Sequence, residues 1–306
     1  MDDVDRRPTR APTCVVVLLF LALPVGCVAP DRSAPGRVLC SRPERLSVLP
    51  PELEEASGLA ASRRHAGVLW MHNDSGGEPA VFAVDSTGAV LGRVRVTGAE
   101  NVDWEDIAVG PCPAGECIYI ADTGDNGERR EVVTIYRVPE PDPADKATSP
   151  AERFRLRYPD GPRDAEALFV TPDTPDARVY LVSKGRTSPV TVYRAPTPLP
   201  AEATALLEPV AALTDGAQFG PLYVTGAGAT PDGRRVVVRT YVNLRLYRLD
   251  DDGLVPIGAP VDLHGLAEPQ GEAVDIRADG TVLLASEERG GDAGPISRLV
   301  CTLDAD

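Results

Sequence analysis

Grouped lysines and arginines of the kind that hold nucleic acid are missing from this 306-residue chain, and its formal net charge is −15. A phosphate backbone needs such basic clusters, so nucleic acid is excluded as a partner. Histidine is scarce: His65, His72 and His264 are the full set, none at ligand spacing, which argues against a zinc centre. Aromatic residues make up 5% of the chain, and no segment sustains helical periodicity. Also lacking are a Gly-x-Ser-x-Gly elbow, a convincing Ser/His/Asp set, a Walker loop, a dinucleotide fingerprint after a strand and a His-Glu-x-x-His pair. Any catalysis would therefore fall to carboxylates and a metal, and the sequence leaves open whether the protein is an enzyme.

Only one long apolar run is present, residues 13–26 (TCVVVLLFLALPVG), behind Arg6, Arg7 and Arg10. It is short for a membrane span and suits the core of a secretory signal over residues 1–26. It ends in Leu-Pro-Val-Gly-Cys, which resembles a bacterial lipobox except that Pro24 stands where an aliphatic residue is usual. The reading is lipidation at Cys27, a tether over residues 27–39, and a folded domain over 40–306. The protein is then exported, held on the outer face of the cell envelope by its lipid or secreted, and meets the membrane only through that anchor. Cysteine usage agrees with an oxidising compartment. Four cysteines remain beyond the signal and Cys27, and they allow three pairings. Cys112 and Cys117 flank a Pro-Ala-Gly-Glu turn and would staple one hairpin; Cys40 and Cys301 would then join the domain's ends.

Glycine (28) and proline (30) are abundant, and they punctuate short Val/Leu/Tyr runs throughout. The runs repeat in a fixed order. Residues 165–196 read strand, turn, strand, loop, strand, and residues 56–84, 104–139, 224–249 and 271–303 follow the same plan. A fourth strand-like run follows each of the first four copies, at 90–96, 153–158, 209–214 and 256–263. The last copy lacks one, and residues 45–51 (RLSVLPP) supply it from the other end of the chain. This predicts an all-β protein: a single five-bladed β-propeller whose ring is closed by an N-terminal strand in the last blade. A sixth blade would have to come from 139–152 or 195–208, and the Pro/Ala content of both reads as loop.

Aligned copies give equivalent positions. The inner strands begin at Ser57, Glu105, Glu166, Thr225 and Glu272, with Glu55, Asp103, Asp164, Tyr223 and Gln270 two residues earlier. The second strands end at Asn73, Asp122, Ser183, Thr240 and Ser286, followed by Asp74, Thr123, Lys184, Tyr241 and Glu287. Carboxylates converging on one axis repel one another unless neutralised, and Ca²⁺ or another divalent cation with oxygen ligands does so. The expected cation ligands are Asn73, Glu105, Asp122, Glu166 and Glu272. The expected ligand-binding residues around them are His72, Asp74, Lys184, Arg239, Tyr241 and Glu287. The competing reading is structural, because polar residues at such positions also tie neighbouring blades together. Likewise Asp/Asn/Gly loops such as HNDSG (72–76) and ADTGDN (121–126) often cap only themselves.

The segments EASGL, HNDSG, DWEDIA, ADTGDN, EAL, TGAGATPDG and QGEA together resemble a group of exported bacterial propeller proteins across nearly all of residues 45–306. More loosely the chain is similar to the SdiA-regulated (YjiK-like)/TolB-like propeller superfamily and the esterase-like phytase family. The resemblance implies the propeller fold. Gluconolactonase-type propellers place a divalent metal on Glu, Asn and Asp side chains, to which Glu105, Asn73, Asp122 and Glu272 are similar in kind. The first functional expectation is a monomeric extracytoplasmic binding or interaction module, holding a cation, a small ligand or an envelope protein on its acidic funnel. The second is a metal-dependent hydrolase of lactones or phosphoesters, and a third is a structural envelope protein.

Overall fold

The computed structural model describes residues 38–250 and 253–303. The expected signal peptide, Cys27 and most of the tether lie outside the described residues.

Val/Ile/Leu runs of period two present one side chain in two to the same face, and Gly, Pro and Asp end them, so they form short antiparallel strands. After β1 (Leu39–Cys40) and β2 (Glu44–Val48), the first blade is β3 (Ala56–Ala61), β4 (Leu69–Asn73), β5 (Ala80–Val84) and β6 (Val90–Arg95). The second is β7 (Trp104–Cys112), β8 (Gly115–Asp122), β9 (Val133–Pro139) and β10 (Glu152–Arg157). The third is β11 (Ala165–Asp173), β12 (Asp176–Ser183) and β13 (Thr191–Arg194), then, beyond a two-residue β14 (Ala205–Leu206), β15 (Glu208–Ala212). The fourth is β16 (Val224–Ala229), β17 (Arg235–Thr240), β18 (Asn243–Asp250) and β19 (Gly253–Asp262). The fifth has β20 (Gln270–Ile276), β21 (Thr281–Glu287) and β22 (Pro295–Thr302) from the C-terminal end, completed by β2 antiparallel to β22. Inner strands β3, β7, β11, β16 and β20 pack each against the next, and β20 returns to β3. The ring has five blades, closed from the N-terminus as the repeat pattern requires.

The closure is covalent as well. β1 also pairs with β22, with Cys40 opposite Cys301, and these two form a disulfide across 261 residues of sequence; Cys112 and Cys117 form the second. The disulfides mark an extracytoplasmic protein. Among the described residues no helix is long and apolar enough to cross a membrane.

Neither Pro/Ala-rich segment builds a sixth blade. Each instead reaches back to the outer edge of the preceding blade. Ala147 bridges to Arg95 beside β6, and β14 adds a parallel strand to β10. Covering these edges removes templates for pairing with other chains.

The core is divided into five apolar clusters, each filling the gap between adjacent blades. Trp70 and Trp104 are fully buried between the first two blades, so Trp104 is a packing residue. Burying such large apolar side chains contributes about 2–3 kcal/mol each. Two of the inner strands, β3 (ASGLAA) and β16 (VTGAGA), are built mainly of small residues. A Cβ at Gly226 of β16 would lie 2.5 Å from the Glu272 carbonyl, which shows how tightly the strands crowd the axis.

Candidate metal centre in the acidic funnel

Each inner strand carries a β-bulge at the same place. The register shifts leave Ser57, Glu105, Glu166, Thr225 and Glu272 as the extra residues in β3, β7, β11, β16 and β20. A bulge re-aims its side chain out of the alternating pleat. Ser57 and Thr225 use that freedom to tie blades: their hydroxyls donate to the Glu105 carbonyl at 2.8 Å and the Gly271 carbonyl at 2.9 Å. Glu105, Glu166 and Glu272 line a cavity of about 630 Å³ at one mouth of the channel, with Ser57 in the same lining. Asp74, Lys184, Tyr241 and Glu287 line it too, as do Arg186, Tyr223, Glu268 and Arg289.

Two carboxylate triads converge there and share Glu105: Asp74–Asp103–Glu105 and Glu105–Asp164–Glu166, each offering oxygens within 4.8 Å of one another. They differ in how they are neutralised. In the second, the Lys184 ammonium bonds the Glu166 carboxylate, and Lys184 and Arg186 each stand 3.9 Å from Asp164. Among the described residues no ion pair reaches the carboxylates of the first. Unpartnered buried oxygens gather at the same mouth: Oδ1 of Asp74, Oδ2 of Asp164, Oε2 of Glu272 and Oε1 of Glu268.

The electrostatics follow from burial and crowding. Burial pushes the Asp74 carboxyl up to about 7, reinforced by the charges of Asp103 and Glu287. Burial and Asp164 raise Asp103. Glu105 is held well above the usual carboxylate range by burial and then by Glu166, Asp74 and Asp103. Burial also lifts Glu272, to about 8, although the Gln270 amide donates to its Oε1 at 2.8 Å. Burial opposes the charge on Lys184, but Glu166 and Asp164 outweigh it and the ammonium is held protonated above its ordinary range.

Other residues expected at the site stand elsewhere. Asp122 is buried and paired with Arg130 at 2.9 Å, away from the cavity lining. Asn73 donates to the Glu52 carbonyl at 2.8 Å. His72 is fully buried behind the wall, its Nδ1 3.0 Å from the Asn73 carbonyl and its ring edge-on to Trp104. Burial lowers its pKa to about 4, so it is neutral. Arg239 is also fully buried; it donates to Glu268 at 2.7 Å and to the Ala273 carbonyl at 3.0 Å. Glu272 lines the cavity but belongs to neither triad. Asp103 and Asp164 complete the triads instead. Their signal lay in the same repeat alignment, two residues before Glu105 and Glu166. The ADTGDN loop caps itself: Asp125 accepts the Arg129 and Arg130 N–H groups, while its own N–H holds Asp164 at 2.9 Å.

No protein family and no curated protein matches the sequence. Among solved structures, the chain is similar to the PQQ-bound aldose sugar dehydrogenase of Streptomyces coelicolor, at 15% identity and a TM-score of 0.52 over 88% of this chain and 100% of that one. It is similar to the Malassezia sympodialis allergen Mala s 1 at 10% identity and 0.54, over 85% and 96%. It is also similar to a Xanthomonas campestris gluconolactonase at 14% identity and 0.44, over 81% and 72%. The likenesses to the first two are of fold alone, and the chain is a β-propeller whose function must be read from its own funnel.

Proposed function

We propose that this propeller is an extracytoplasmic binding module that holds a divalent cation on Asp74, Asp103 and Glu105 and a small polar ligand against it. One observation carries the reading: three carboxylates converge within 4.8 Å, and among the described residues no ion pair reaches them. Ca²⁺ takes six to eight oxygens, so three side chains leave positions open toward the 630 Å³ cavity for water or ligand. Protonation offers the triad partial relief, and an ion gives fuller compensation. The ligand set expected from sequence thus changes in membership, from Asn73, Asp122, Glu166 and Glu272 around Glu105 to Asp74 and Asp103 around Glu105. Export by the 1–26 signal, lipid attachment at Cys27 and the monomeric state belong to the same proposal. A ligand in the cavity is preferred to an envelope protein as partner, because the acids are recessed.

The test is thermal unfolding with EDTA and with Ca²⁺. An ion bound only by the folded state, at one hundred times its Kd, adds about 2.7 kcal/mol. Glu105→Gln should erase the rise in Tm. An unchanged Tm in the wild-type protein would overturn the proposal.

A second reading, metal-dependent hydrolysis of a lactone or phosphoester, is favoured by Glu272. Its carboxyl keeps a proton up to about pH 8 and its Oε2 has no partner, as suits a general acid facing a Lewis-acidic ion. Hydrolysis lost in Glu272→Gln, with the Ca²⁺ response retained, would favour it over binding alone. Wild-type inactivity on lactone and phosphoester panels in Ca²⁺ would count against it.

A further inference from the structure

The second triad is as compact as the first and more deeply buried. Glu105, Asp164 and Glu166 are each 5% exposed or less. Asp164 Oδ2 is enclosed without a hydrogen-bond partner. What distinguishes the second triad is Lys184, itself 7% exposed, which enters from the end of β12 and bonds Glu166 with Asp164 at 3.9 Å. An ammonium supplies one positive charge and three donors, and it stands against two of the three carboxylates of this triad. Arg186 stands 3.9 Å from the same Asp164 oxygen, but its guanidinium also bonds Asn126 at 2.7 Å and lies over the Tyr223 ring. It guards the rim while Lys184 fills the centre.

We propose that Lys184 is a built-in counter-cation that closes the second triad, so the funnel takes a single divalent ion, and that withdrawing Lys184 opens a neighbouring ion site bridged by Glu105. The inference rests on the cation site of the preceding section. Lys184 therefore limits the number of ions the funnel accepts. Its own position needs no ion, because Glu166 and Asp164 already hold the ammonium.

The experiment counts Ca²⁺ bound per chain by isothermal titration and by equilibrium dialysis with metal analysis. Wild-type protein should take one ion, Lys184→Met two, and Lys184→Arg, which keeps the charge, one. Two ions on the wild type, or one ion on the wild type and still one on Lys184→Met, would overturn the counter-cation role. A wild type that binds none beside a Lys184→Met that binds one would refute the first-triad site and leave the role of Lys184 standing. No ion on either protein would sink both.

Should Lys184→Met not fold, wild-type protein still decides. The chain's lysines are Lys146, which is exposed, and Lys184, so reductive methylation read by mass spectrometry carries an internal control. Lys146 should label freely, and Lys184 should stay protected with and without saturating Ca²⁺. Labelling of Lys184 that rises with Ca²⁺ would show that an ion displaces it, and would overturn the proposal.

Discussion

Glu105 and Asp106 are neighbours on β7, both carboxylates and both buried, and the fold treats them in opposite ways. Asp106 reaches across to two other blades. Its Oδ1 accepts the Ile107 N–H at 2.8 Å, and its Oδ2 accepts Leu168 N–H at 2.8 Å and Ala227 N–H at 3.2 Å, from the third and fourth blades. Asp275 repeats the device, taking Ala61 N–H of the first blade at 2.8 Å. These two acids replace the backbone partners that inner strands, lacking neighbours across the channel, cannot find. Glu105, turned the other way by its bulge, meets other carboxylates, and its own carboxylate accepts no hydrogen bond among the described residues. Burial alone therefore says nothing about function. The useful distinction is between a buried acid whose acceptors are filled by the fold and one whose acceptors are left over.

The comparison breaks most readily at Asp106. Asp106→Leu strands two buried N–H groups of other blades at about 1–3 kcal/mol each, so urea unfolding should show a loss of roughly 4 kcal/mol, the same with or without Ca²⁺. A loss below about 1 kcal/mol would mean the axial acids are not structural.

The next effect is on pH dependence. Asp74 and Glu272 have folded pKa values near 7 and 8 against ordinary values of 3.8 and 4.5, so the folded state binds more protons than the unfolded state. Stability of the cation-free protein should then fall as pH rises from about 4 to about 8. Saturating Ca²⁺ should flatten the fall over the Asp74 range, since an ion favours the charged carboxylate. A cation-free stability that rises over this window would contradict the description of the funnel.

The smallest effect is the most discriminating. Without an ion, Glu105 is a liability, so Glu105→Gln should raise stability in EDTA by about 1 kcal/mol while removing the Ca²⁺ response. A destabilised variant in EDTA would place Glu105 with Asp106 as a structural acid.

Much of this architecture was legible in residue order. The repeats at 56–84, 104–139, 165–196, 224–249 and 271–303 fall on the five blades, and RLSVLPP supplies β2. The row Ser57, Glu105, Glu166, Thr225 and Glu272 falls on the five bulges. Period-two patterning and turn residues are local, so a sequence displays them directly. What each row member does was not legible. Ser57, Thr225 and Arg239 find partners on the neighbouring blade, and Asp122 is taken up by Arg130 from the loop that follows its own strand, so each partner is set by folding and not by strand pattern.

The sequence by itself determined the number of blades, the strand that closes the ring and the two disulfides compatible with that closure, since all of these follow from short-range pattern and from which pieces were missing. Tertiary structure alone decided which acids are spent and which remain. Neutralisation depends on distances of a few ångströms between side chains of different strands and loops, and on water excluded from between them, and neither is written in the order of residues along one strand.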